Sequence, residues 1–135
     1  PSSFEVFTPV CTTVEMSKAN RNELMNAYDN TIVYTDYLIH SVIEVLRKVE
    51  DRNCCMLYVS DHGESLGENN LYMHGVPMMM APREQIEIPF IVWSSDKTLG
   101  VKEIKEVGQY HIFHSILRIL DVESPIYDEK MNIFE

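Results

Sequence analysis

The chain has 135 residues, of which 45% are hydrophobic and 24% are charged, and its formal net charge is -10. This length suits one domain, or part of one, with a real hydrophobic core, and the composition excludes a disordered tail. The acidic balance argues against nucleic acid as a partner, because phosphate backbones are bound by clusters of Lys and Arg, and the basic residues here form no such cluster. A bound cation could still supply the positive charge that phosphate requires.

No apolar run approaches the ~20 residues that span a bilayer, and the first residues lack the pattern of a signal peptide. Three cysteines are present, at Cys11, Cys54 and Cys55. They cannot all pair with one another, so the cysteine content leaves the cellular compartment open.

The first part of the chain predicts an extended arm followed by a long helix. Residues 1–19 contain Pro, Ser and Thr without a sustained period. Asn20 followed by Glu23 resembles a capping box and predicts a helix start. Apolar and small residues then recur at steps of four and three, which is typical of one helix face, and residues 51–53 are predicted to end the helix. The residues of this face are Leu24, Tyr28, Thr31, Thr35, Leu38, Val42, Val45 and Val49.

The second part predicts two strands, a long loop and a shorter helix. The apolar run at residues 54–59 suits a strand buried on both faces, as in a parallel sheet. Residues 63–84 contain glycines and prolines and predict a long functional loop. Pro89 opens a second apolar run, residues 90–93, as the first residue of a strand. A helix is expected near residues 111–120, with these side chains inward: Ile112, Phe113, Ile116, Leu117 and Leu120. This order of elements gives an α/β class.

Asp61 and His62 directly follow the first predicted strand. Ligands collect beyond the carboxyl ends of strands in open parallel sheets. A carboxylate oxygen and a neutral imidazole nitrogen are good zinc ligands, and the oxygen also suits manganese or magnesium. Gly63 would let the backbone turn sharply where a side chain would crowd an ion. Alternatively, the pair is a strand-end turn without a ligand, since zinc takes three or four ligands and the pair provides two.

The sequence around this pair resembles one enzyme family. The matching segments are Asp-His-Gly-Glu-Ser-Leu-Gly-Glu-Asn (61–69), Leu-Tyr-Met-His-Gly (71–75), Ala-Pro-Arg-Glu-Gln (81–85) and Ile-Pro-Phe-Ile-Val-Trp-Ser (88–94). Upstream and downstream segments match as well, so that the resemblance runs from the first residues to about Val122. The chain resembles the periplasmic catalytic domain of the lipid A phosphoethanolamine transferases, which belong to the sulfatase-like branch of the alkaline phosphatase superfamily.

The resemblance implies a partial sulfatase-like fold, with a mostly parallel sheet flanked by helices. Residues 1–135 would be the C-terminal portion of a single catalytic domain, without its N-terminal portion and without the membrane domain. Asp61 and His62 match two ligands of the family's zinc ion, with manganese or magnesium as alternatives. His74 matches a histidine that contacts the transferred phosphate or passes a proton; without the family, it would be interpreted as a polar loop residue. Glu64 and Glu68 are either acceptors for the histidines or solvated loop residues, and both are left outside the predicted site.

The resemblance also implies a reaction. The family moves phosphoethanolamine from phosphatidylethanolamine to lipid A, or to another periplasmic phosphate or glycan acceptor, through a phospho-threonine intermediate. It acts at the periplasmic face of the bacterial inner membrane, although the chain itself is expected to be soluble. The family's nucleophilic Thr and a Glu metal ligand lie upstream of the segment that matches this chain. We therefore expect the chain alone to be inactive, to expose hydrophobic surface, and to have the missing N-terminal portion of the domain as a partner.

Several alternatives stay open. A phosphoglycerol transferase, phosphodiesterase or sulfatase of the same fold would also use an Asp-His pair, and a non-catalytic module could keep the fold. The family often bridges the counterpart of Cys11 to a cysteine eight residues on, but that position is Ala19 here, so the pairing of Cys11 is open. The run at 78–80 could form a lipid-facing methionine patch or could pack beneath the site. His40, His111 and His114 are expected to be structural.

Overall fold

The computed structural model describes residues 1–135. Its helices and strands follow in the order α1 (Arg21–Leu46), β1 (Cys55–Val59), β2 (Ser65–Leu66), β3 (Tyr72–Met73), α2 (Arg83–Ile86), β4 (Phe90–Ser94) and α3 (Tyr110–Ile119). Two compact units are formed, one from residues 1–48 and 60–89, the other from residues 49–59 and 90–135. None of the helices combines the length and the apolar character needed to cross a membrane.

Helix α1 begins where the sequence predicts. Asn20 is its N-cap, and the side-chain oxygen accepts a hydrogen bond from the Asn22 backbone N–H at 2.9 Å. The helix ends at Leu46, before the predicted end at residues 51–53. The amide of Lys48 bonds back to the carbonyl of Val45 at 3.2 Å, and this tighter turn closes the helix.

The N-terminal arm lies along the first half of α1. The Asn30 side chain binds the arm through three hydrogen bonds. Its oxygen accepts from the backbone amides of Val6 and Phe7 at 2.8 and 2.9 Å, and its nitrogen donates to the Phe7 carbonyl. Only the early part of the predicted helix face is covered in this chain. Leu24 is buried, whereas three later apolar side chains of the face, Leu38, Val42 and Val45, are exposed.

The predicted loop at 63–84 contains more regular structure than the sequence indicates. Strands β2 and β3 form a small antiparallel hairpin, with Gly67 in a left-handed conformation at the turn. Glu68 ties the hairpin to α1, because one carboxylate oxygen accepts from the Leu66 amide at 2.6 Å and the other from Arg21 at 3.2 Å. Helix α2 is a single turn that follows the buried Pro82.

In the second unit, β1 and β4 match the two predicted strands, and the α/β class is confirmed. The two strands pair antiparallel, from Cys55 opposite Ser94 to Val59 opposite Phe90. The expected mostly parallel sheet is therefore not formed by this chain's own strands, since the hairpin also pairs antiparallel. A parallel pair needs a crossover connection, usually a helix of several turns, and the one α-helix between β1 and β4 is the single-turn α2.

The expected inward face of α3 is wrong for three of its five side chains in this chain, whereas Ile112 and Leu117 are half-buried. Phe113, Ile116 and Leu120 are exposed, whereas His111 and Ser115 are buried. The C-terminal segment is the reason, because the Ser115 hydroxyl accepts from the Ile133 amide at 3.1 Å and donates to the His111 carbonyl at 2.7 Å. A polar stripe therefore meets the backbone of a neighbouring segment, which hydrophobic periodicity does not detect. The core of this unit is completed by Asn132, Ile133 and Phe134.

Candidate metal centre

The loop that follows β1 is held by short polar contacts. The Ser60 hydroxyl donates to the His62 carbonyl at 2.7 Å, and one carboxylate oxygen of Asp61, Oδ1, accepts from the His62 amide at 3.0 Å. The Asp61 side chain is 87% exposed, and that of His62 is 41% exposed. The His62 backbone is thus held by both preceding side chains, and the side chains of both predicted ligands are accessible.

The His62 ring presents Nε2 as a ligand atom. Its Nδ1 lies 2.9 Å from the Gly63 carbonyl oxygen, which can only accept, so that Nδ1 carries the proton and Nε2 the lone pair. Nε2 lies 3.7 Å from Oδ2 of Asp61. Two atoms that each bind a tetrahedral zinc at about 2.0–2.2 Å lie roughly 3.3–3.6 Å apart. The structure therefore brings Asp61 and His62 together at a separation close to that of two ligands of one ion.

Gly63 is required by packing rather than by the ion. Its amide donates to the Gln85 carbonyl at 3.1 Å, and a Cβ at this position would lie 2.0 Å from the Glu84 carbonyl oxygen. From the sequence, a sharp turn and crowding near a metal were the expected reasons for this glycine. The backbone of α2 is the neighbour that excludes a side chain, and through this contact α2 positions the residues on either side of Gly63.

His74 lies beside His62, as a site shared by the two residues requires. The two rings stack with a centroid separation of 3.6 Å and an interplanar angle of 29°. Nδ1 of His74 is 3.1 Å from Oε2 of Glu64. The neighbouring residues Met73 and Gly75 both have a positive φ, of 66° and 93°, which for a methionine is a strained conformation.

Glu64 is the residue that the predicted site omits. Its Oε1 is buried without a hydrogen-bond partner, an unusual condition for a carboxylate oxygen and one that a nearby cation would relieve. One ligand atom from each of His62, Glu64 and His74 lies within 4.8 Å of the others, so that these three residues could hold a metal ion. The donor set of imidazole nitrogens and a carboxylate oxygen fits zinc.

The two candidate sets of metal ligands share His62 and differ in their other members. Asp61 and His62 form the pair expected from the sequence, whereas the other group combines His62 with Glu64 and His74. A signal for Glu64 was present, because it is a carboxylate two residues from a predicted ligand, and carboxylates commonly accept hydrogen bonds from the histidines of metal sites. Glu68, the other carboxylate considered, pairs with Arg21 and not with a histidine.

The remaining candidates lie elsewhere. His111 is buried, with Nδ1 against the Gly108 backbone, and Nδ1 of His114 accepts from the Asp128 amide at 3.0 Å, as expected of structural histidines. The methionine run Met78–Met80 is exposed, and Met79 is 98% exposed. These residues therefore do not pack beneath the site in this chain. All three cysteines are free thiols, and burial raises the pKa of Cys55.

The family model of the sulfatases matches residues 1–122, and the chain belongs to this family. Among curated relatives it is similar to the phosphoethanolamine transferase EptA of Helicobacter pylori, with 43% identity over 130 residues, which are 93% of this chain and 25% of that protein. The chain thus spans about a quarter of the length of this relative.

Solved structures agree with the family assignment. The C-terminal periplasmic domain of the phosphoethanolamine transferase EptC from Campylobacter jejuni superposes with a TM-score of 0.89 at 40% identity, over 98% of this chain and 44% of that one. The soluble domain of the lipooligosaccharide phosphoethanolamine transferase A from Neisseria meningitidis gives a TM-score of 0.90 at 37% identity, over 99% and 44%. The chain therefore has the fold of part of a periplasmic phosphoethanolamine transferase domain.

Proposed function

We propose that this chain supplies the metal-binding and phosphate-contacting part of a zinc-dependent phosphoethanolamine transferase. In this proposal Asp61 and His62 bind zinc, and His74 contacts the transferred phosphate. The observation that supports it most directly is the stacking of His62 on His74 at 3.6 Å, because a metal held by His62 and a phosphate held by His74 would then be neighbours. The family relationship supplies the reaction class.

The residues of the chain would act through position and charge. Zinc supplies Lewis-acid chemistry, which polarises phosphoryl oxygens and makes the attacking oxygen easier to deprotonate. The Gly63 carbonyl holds the lone pair of His62 Nε2 toward Asp61, and α2 holds Gly63. His74 would place its free ring nitrogen against a phosphate oxygen or pass a proton to a leaving group. The nucleophilic threonine and a glutamate ligand come, in this proposal, from sequence upstream of the chain.

The exposed later face of α1 fits the same proposal. Leu38, Val42 and Val45 are apolar and uncovered, and the two solved domains are more than twice as long as the part that this chain matches. We assign this face to contact with the remaining portion of the domain. The donor would be phosphatidylethanolamine, and the acceptor lipid A or another periplasmic phosphate or glycan, at the outer face of the inner membrane.

A chimera tests the proposed function. Residues 1–135 would replace the matching segment of the soluble Campylobacter jejuni domain, and transfer would be measured with a fluorescent phosphatidylethanolamine donor. We expect transfer by the chimera and its loss in Asp61→Ala, His62→Ala and His74→Ala, with His40→Ala, an exposed position on α1, as the matched control. A folded chimera without transfer, or one unaffected by the three substitutions, would contradict the proposal. The isolated chain should show no turnover.

A further inference from the structure

The contact between Glu64 and His74 has a chemical consequence for the site. An ionised carboxylate can only accept hydrogen bonds, and Oε2 of Glu64 lies 3.1 Å from Nδ1 of His74. The Glu64 side chain is 27% exposed, with Oε1 buried and without a partner, so the contact with His74 is the hydrogen bond found for this carboxylate. Nδ1 must therefore carry a proton, and the neutral ring has its lone pair on Nε2.

The backbone around His74 supports the same orientation. Met73 and Gly75 both adopt a positive φ, so the chain bends on either side of His74. Glycine adopts this conformation readily, but a methionine does so at a cost that the surrounding structure must offset. On its other side the imidazole stacks on His62. The ring is thus held by a strained backbone, a stacked neighbour and one carboxylate.

We propose that Glu64 is a positioning residue that keeps the proton of His74 on Nδ1, so that Nε2 is the atom that His74 presents to a phosphate oxygen or a leaving group. The inference rests on the proposed function, since it specifies how His74 performs its part in it. A carboxylate paired with a histidine in this way fixes both the tautomer and the orientation of the ring.

The tautomer can be read without any transfer assay. The chain would be labelled with ¹⁵N at histidine, freed of metal with EDTA, and examined by long-range ¹H–¹⁵N correlation NMR at a pH where His74 is neutral. We expect His74 predominantly with the proton on Nδ1. Wild-type His74 with the proton on Nε2 would overturn the proposal by itself, whether or not the chimera transfers phosphoethanolamine, so the two failures are distinguishable.

Variants show whether Glu64 is the cause. Glu64→Ala should remove the preference for Nδ1 and shift His74 toward the Nε2–H form that unconstrained histidine favours. Glu64→Gln keeps an acceptor oxygen and should retain the Nδ1–H form. Glu84→Ala, which removes an exposed carboxylate from α2, should change nothing. An unchanged tautomer in a Glu64→Ala chain whose backbone amide spectrum shows it folded would contradict the proposal.

Zinc provides a second, independent measurement on the unmodified chain. If Glu64 serves His74, zinc binding should perturb Nε2 of His62 and leave the Nδ1 proton of His74 in place. If zinc instead takes its ligands from His62, Glu64 and His74 together, Glu64 and His74 would become ligands and their hydrogen bond would be lost. Loss of the His74 Nδ1–H signal on adding zinc would therefore overturn the positioning role.

Discussion

Replacing Gly63 by alanine should destabilise the first unit and damage the site together. The added Cβ would lie 2.0 Å from the Glu84 carbonyl oxygen and 2.9 Å from its carbonyl carbon, and both are backbone atoms that cannot rotate away. Either α2 or the segment carrying His62 and Glu64 must move. Movement would also stretch the 3.1 Å hydrogen bond from the Gly63 amide to Gln85.

The expected magnitude follows from the kind of contact. Overpacking typically costs about 1–3 kcal/mol, and a clash with backbone belongs at the upper end. We therefore expect Gly63→Ala to lower the free energy of unfolding by about 3 kcal/mol, which is roughly a 150-fold change in the folded-to-unfolded ratio. The backbone of Gly63 has no positive φ, so the effect would come from the clash and not from conformational preference.

Urea unfolding followed by the circular dichroism of α1 measures this change. Gly75→Ala is the matched control, because it has the opposite properties: nothing lies within 4 Å of the added Cβ, but its φ is 93°. Gly75→Ala should lower the free energy of unfolding by about 1–2 kcal/mol, because of backbone strain alone. A Gly63→Ala chain as stable as the wild type, or one destabilised no more than Gly75→Ala, would refute the clash with the Glu84 backbone.

Three further predictions concern other parts of the chain. Ser65→Ala should cost about 1–3 kcal/mol in urea unfolding, because the buried Gln85 amide would lose its 2.8 Å acceptor. Replacing Met78–Met80 by serine should weaken binding to phosphatidylethanolamine vesicles at an unchanged melting temperature; equal binding would exclude a lipid contact. Hydrogen bonds from Lys102, then Tyr127, lower the pKa of Glu129 from 4.5 to about 2. The ionised Glu129 should therefore stabilise the folded chain above pH 4.5, and this contribution should disappear as pH falls toward about 2. Glu129→Gln should abolish that pH dependence of the free energy of unfolding.

Local patterns predicted local structure well. The cap at Asn20 and both apolar runs appear as α1, β1 and β4, with strand ends within a residue of the expected ones. These features depend on side chains close in sequence, which periodicity and capping rules describe. The pairing of Asp61 with His62 could likewise be predicted, since adjacent residues after a strand stay together.

Features that depend on distant segments could not be predicted in this way. The apolar run at β1 was interpreted as part of a parallel sheet, but its partner within the chain is the antiparallel β4. The buried face of α3 contains Ser115 because a backbone amide from Ile133 meets it. Glu64 joins His74 only because the small hairpin folds back, and Gly63 is required only because α2 packs against it.

Zinc titration of the chain measures whether Asp61 and His62 form a metal site. Isothermal titration calorimetry would compare the wild type with Asp61→Ala, His62→Ala and the control Asp36→Ala, an exposed carboxylate on α1. We predict that one zinc binds, that removing either ligand weakens the affinity by at least about tenfold, and that the control leaves it unchanged. Equal affinity in all four chains, or no zinc binding by the wild type, would contradict the assignment of Asp61 and His62 to a metal centre.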